Sequence, residues 1–372
     1  TLGGATLVEW IAGGSGDWNE PSNWSVARVP GEGDAAVIGE DGTYTVTLGS
    51  DVSVAALVLG GGAGVQTLAT GDFGLTVASG ALLPGGLLAV DGSVDIQGEF
   101  VLAGGDIEGA GLVDVLGGSE LQVIGNPVEL KADLENRGSV VSYPGSSLRI
   151  EMGFLNTRAG LLEMQGDAYV SIWADGVLTN EGTIQKNAGE EEASILVSST
   201  TDAQFFNNGT IEVEVGTLWL SGGSLRGRID IAEGAVLRQS GNTAVLSLNS
   251  HGDGAFVVEG RLDVGSFENQ IVNIRHLVLA STRTPSLTGS AAILIDESFV
   301  WRRGSIAGLS SFTTQIGSRT VFETRDSKAL VGTRWRIIGS VAADTDLELS
   351  LREDAEILVD PNGHWIQSGN GS

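Results

Sequence analysis

The chain has 372 residues, with 56 Gly, 7 Pro, no Cys and a net charge of −27 from 47 acidic and 20 basic side chains. The lack of Cys excludes a disulfide framework, thiolate metal sites and a thiol nucleophile, and the three His (His251, His276, His364) are too scattered for a His-rich metal site. No Lys or Arg occurs from Val29 to Leu130, so nucleic acid is not an expected partner, and no apolar run is long enough to span a membrane, so membrane insertion is not expected either.

In chain order, Thr1–Ser50 comes first as a Trp/Gly-rich module that carries Trp10, Trp18 and Trp24. Three indoles in so short a stretch read as a small cap core, because Trp dominates small cores by its area, with sugar stacking as the minor alternative. Asp17, Asp34 and Asp41 beside glycines leave calcium open as a cofactor, although neither an EF-hand loop nor a calcium β-roll repeat is present.

From residue 51 the chain repeats. FVLAGGDIEGAGLVDV, LWLSGGSLRGRIDI and FVWRRGSIAGLSSF share a Gly-x-aliphatic-x-Gly core at Gly105/Ile107/Gly109, Gly223/Leu225/Gly227 and Gly304/Ile306/Gly308. Between them a second pattern places Gly138, Gly160, Gly182 and Gly209 at spacings of 22, 22 and 27 residues. Asn136, Asn180 and Asn207 stand two residues before such a Gly, which suits corners because Asn tolerates the left-handed region; Asn156 falls out of this spacing by two and predicts a local bulge. The period, the β-branched runs with period-two alternation and the absence of any helical period predict an all-β, right-handed parallel β-helix. Residues 51–372 would form roughly 13 coils above the cap. The strand-like run His364–Gly369 has no cap of its own. It predicts a solenoid that continues in a longer parent chain or associates end to end with another copy.

The order Trp, Gly-rich turn, Gly-Asp-Trp, Asn-Trp, Val-Pro-Gly, Gly-Asp, Ala-Val-Ile in residues 10–38 resembles the start module of large bacterial secreted and surface β-solenoid proteins of autotransporter or adhesin type. More loosely, it is similar to an eight-glycine extracellular module that precedes β-helices in some animal surface proteins. The resemblance implies a location outside the bacterial cell or on its surface. It does not decide between stalk, adhesin, matrix or filament element and carbohydrate-active protein.

No Gly-x-Ser-x-Gly elbow, Walker loop or His-Glu-x-x-His helix occurs, and acidic pairs are too common to single out two catalytic carboxylates. The best local concentration of candidate binding groups is Trp301, Arg302, Arg303, Arg334, Trp335 and Arg336, with Arg275-His276, Arg319, Arg325 and Lys328 nearby in sequence. Alternation places Arg302 and Arg303 on opposite faces of one strand, and likewise Arg334 and Trp335. The reading is a non-catalytic structural or adhesive solenoid; the alternative is a carbohydrate-active or carbohydrate-binding β-helix that holds an acidic polysaccharide through those Arg and Trp residues.

Overall fold

The computed structural model describes residues 4–265, 271–323, 326–344 and 348–368. It is all-β, about 61% strand, with parallel strands wound into a β-solenoid of about 15 turns. Among the described residues the one helical element is the 3-10 turn Pro21–Asn23. The chain forms two compact units, Thr1–Gln185 with Val197–Gln204, and Lys186–Leu196 with Phe205–Ser372.

In the first unit each coil contributes three short strands, and alternation sends every second side chain inward to stack on its equivalent one rung away. One interior stack runs Val46, Leu68, Leu88, Ile107, Leu130, Ile150, Ile172. A second runs Val8, Ala36, Leu57, Ala81, Phe100, Leu121, Val140, Leu162. All of these side chains are buried. The Trp-rich start joins the same ladder, since Thr6–Glu9 pairs in parallel with Asp34–Ile38, and Asp34–Ile38 with Val52–Leu59. Trp10, Trp18 and Trp24 are buried and pack edge-on, at centroid distances of 5.1 Å for Trp10–Trp24 and 4.8 Å for Trp18–Trp24. Their burial leaves no face for a sugar.

A third interior stack begins aliphatic, Val54, Val77, Ile96, Val115, and then turns polar at Asn136, Asn156 and Asn180. These Asn close strands rather than occupy the left-handed region; the described non-Gly residues with positive φ are Ala27, Ala174, Glu353 and Asp354. Their amides form a buried ladder. Asn136 Nδ2 donates to Asn156 Oδ1 at 2.8 Å, and Asn156 Nδ2 to Asn180 Oδ1 at 2.7 Å. The same nitrogens also serve the corner carbonyls, Leu161 O at 2.9 Å and Thr183 O at 3.0 Å. Asn156 stays in register with both neighbours, so the two extra residues sit in the turn 157–160, closed by Gly160 N donating to Thr157 O at 2.8 Å, and not in a bulge of the strand. Gly160 is required by space: a Cβ there would lie 2.4 Å from both Asn136 O and Asn156 Oδ1.

In the second unit an interior stack runs Ala193, Leu218, Leu237, Phe256, Leu277, Phe299, Thr320, Val341, Trp365. The long strand Ala292–Ala307 passes two corners, at Asp296-Glu297 and at Arg302-Arg303, and at each corner two successive residues face solvent. The ladder shifts register beside both. A strand that bends around a corner spends an extra outward residue, and the inside-outside alternation restarts beyond it.

Candidate binding surface

The six candidate residues separate by face. Trp301 and Trp335 are wholly buried in an interior aromatic cluster, with Trp301 stacked on Phe322 at 5.9 Å and Trp335 edge-on to Phe312 at 6.0 Å. They cannot form a sugar platform, because these rings supply the packing of the C-terminal coils. Arg302 and Arg303 are both exposed, contrary to strict alternation, because they form a corner. Arg334 and Arg336 flank inward Trp335 on the outside, as alternation requires.

The exposed arginines are already engaged. Arg302 Nε meets Glu323 at 2.7 Å, Arg334 Nε meets Glu356 at 2.9 Å and Arg336 Nε meets Asp360 at 3.0 Å, each across one coil. Arg303 Nε donates to Ala280 O at 2.8 Å. Arg275 Nη2 lies 2.9 Å from Asp253, and Lys328 is buried with Nζ donating to Asp326 O at 2.9 Å. Arg325 lies outside the described residues. A parallel ladder sets residues of consecutive coils about 4.8 Å apart, so an Arg with an acid one rung along forms an ion pair within the protein. These groups do not converge on a common anion site.

Three other clusters of polar side chains are engaged within the protein. Ser298 Oγ lies 2.8 Å from His276 Nδ1, but Asp253 stands 3.9 Å from the other ring nitrogen and is shared with Arg275, which is not a serine–histidine–acid relay. Asp95, Asp114 and Glu135 occupy consecutive rungs, with Arg137 bridging Asp114 at 2.6 Å and Glu135 at 3.0 Å. Burial pushes the Asp114 carboxyl above the usual range, with Arg137 opposing the rise. Asp17, Asp34 and Asp41 are spent separately: on Asn19 N at 2.8 Å, on the Arg28 guanidinium, which holds the Asp34 carboxyl low, and on Ala63 N at 2.8 Å. Among the described residues no three His, Cys, Asp or Glu side chains are grouped to hold a metal ion.

What the surface does present are two Trp–Arg pairs outside the six candidates. The Arg149 guanidinium sits 4.9 Å from the Trp173 ring centroid, and Arg238 sits 4.7 Å from that of Trp219. Trp219 is flanked by the inward Leu218 and Leu220, and that parity was the available signal for an outward ring. Trp173 directly follows inward Ile172 at a corner, where alternation alone does not fix direction.

The molecule is thus a β-solenoid that carries ion pairs and two Trp–Arg pairs on its exterior. Residues 86–224 match the family model described as BigA fourth domain, and that stretch is therefore similar to an adhesin-like domain of bacterial surface proteins. No curated protein matches the chain.

Proposed function

We propose that this chain is a non-catalytic segment of a bacterial surface protein, exposing its solenoid faces for adhesion. The observation that carries the reading is the similarity of residues 86–224 to the BigA fourth domain, a stretch whose coils are ladders of buried aliphatic residues with ion-paired exteriors. A surface of repeated short strands supplies many shallow contact points on a rigid support, which suits attachment.

Leu351 and Val359 continue the inward stacks of Leu330 and Ile337 yet are exposed on the last described coil, and the end of another copy is the cover we propose for them. Display of the chain on a non-adherent bacterium tests the adhesive role. Attachment to host cells or to neighbouring bacteria above the empty-display control is expected. Attachment no better than that control, with the chain detected on the surface, refutes the adhesive reading and leaves a purely structural one.

A further inference from the structure

We propose that the corner around Trp173 is a binding site for a neutral pyranose glycan, an inference that rests on the adhesive reading and names its ligand class. Trp173 is 40% exposed, whereas Trp10, Trp18, Trp24, Trp301 and Trp335 are at 0 or 1%. A large aromatic ring left open on a surface ladder forgoes the area it would bury in the core and keeps that area available for contact.

The turn that carries the ring is fixed before any ligand arrives. Trp173 N donates to Ile150 O at 2.8 Å, and Gly176 N closes the turn onto Trp173 O at 2.8 Å. The turn carries Ala174 at φ 51°, in the left-handed region that a residue with a Cβ seldom adopts. Arg149 covers part of the indole and is pinned in turn by Glu151 at 2.8 Å and Glu129 at 3.3 Å. A fixed platform saves the ordering entropy that a mobile side chain would lose on binding.

The coils on either side complete the chemistry. Val177 N donates to Met152 O at 3.1 Å, which sets Met152, 38% exposed, on the corner just before Trp173. Ser198 N donates to Ile172 O at 3.0 Å, which brings the hydroxyl-rich turn Ser198, Ser199, Thr200, Thr201 and Asp202 to the next rung. The exposed ring, with exposed Met152 one coil back, is thereby followed by a rung of hydroxyls and a carboxylate. That pairing matches a pyranose, whose C–H face stacks on an aromatic ring while its equatorial hydroxyls exchange hydrogen bonds with polar side chains. Lys131 and Arg149 offset Glu129 and Glu151, which leaves Asp175 and Asp202 in excess, so the local field favours a neutral sugar over a uronate or sialic acid.

The test uses the full chain on an array of neutral oligosaccharides and on mannan and galactomannan, with alginate and heparin as acidic counterparts. Neutral glycans should be retained, and Trp173→Ala should weaken the binding at least about tenfold, the size of one lost stacking contact, while Trp173→Phe keeps part of it. Circular dichroism and the melting temperature of both variants should match the parent. N-bromosuccinimide should oxidise Trp173 before the buried indoles, and bound glycan should protect it. Retention of acidic glycans alone, capture of protein ligands alone, no retention at all, or equal binding by Trp173→Ala each overturns the inference. Cell attachment that persists in Trp173→Ala sinks the glycan site and leaves the adhesive reading standing. Glycan binding without attachment does the reverse.

Discussion

Replacing Asn156 by Asp probes the amide ladder with a change of one atom. The side chain is wholly buried, donates to Asn180 Oδ1 at 2.7 Å and Thr183 O at 3.0 Å, and accepts from Asn136 at 2.8 Å. Asn156→Ala loses three hydrogen bonds at about 1 kcal/mol net each, or about 3 kcal/mol, with some cavity cost in addition. Asn156→Asp keeps the shape but turns two donor contacts into an oxygen facing two oxygens. When protonated, the acid retains one donor and should cost only about 1–2 kcal/mol. When ionised, it is a buried charge without a cation partner in the ladder, so its pKa in the fold rises above the unfolded value of about 3.9. A raised carboxyl pKa means that the folded state holds its proton longer than the unfolded chain, so stability falls as pH rises through and above that unfolded value. Asn156→Asp should therefore surpass the alanine variant at and below pH 4, by about 1–2 kcal/mol when fully protonated, and fall well below it at neutral pH, where each unit of pKa elevation costs about 1.4 kcal/mol. Urea melts followed by far-ultraviolet circular dichroism across that range, with hydrogen exchange on residues 134–184, would measure it. A difference between the two variants that does not change with pH would show that backbone bonds alone hold this corner.

Trp335→Ala should cost about 3–5 kcal/mol, as expected for emptying a core site, whereas Arg334→Ala, one residue away and exposed, should stay within about 0.5 kcal/mol; comparable losses in denaturant melts would contradict the assigned faces. Arg137→Met removes the cation beside buried Asp114 and should destabilise by about 1–3 kcal/mol at neutral pH, less toward pH 4 as the raised carboxyl protonates, and a pH-independent loss would argue against that pairing. Burial lowers the Lys186 pKa below 10.5, so the unfolded chain keeps its proton to higher pH and stability should rise across the alkaline range below 10.5. Lys186→Met should lack that rise, as urea midpoints at neutral and alkaline pH would report, and an identical alkaline gain in both proteins would assign it to another group.

Repeat spacing and period-two alternation were sufficient for the all-β solenoid, because the inward or outward direction of Ile184, Ile211 or Trp219 depends on immediate neighbours in an extended chain. The same local rule failed at corners. Arg302 and Arg303 both face out because the strand bends there, and only the position of the bend relative to neighbouring coils reveals where the alternation restarts. The Asn positions were visible as a repeat, yet their role depends on partners 20 and 24 residues away, at hydrogen-bonding distance only after the coils stack. The exposed arginines looked like a cationic site because a sequence displays charges without their partners; stacking gave most of them an acid about one coil along. Trp173 passed unnoticed for a related reason, since a corner residue has no fixed side until the turn is built. Sequence by itself thus determined the strands, their period and most of the aliphatic core, all properties of short segments. Tertiary stacking decided corner parity, the pairing of charges and which aromatic rings meet solvent, since each is set by contacts between coils about 20 residues apart along the chain.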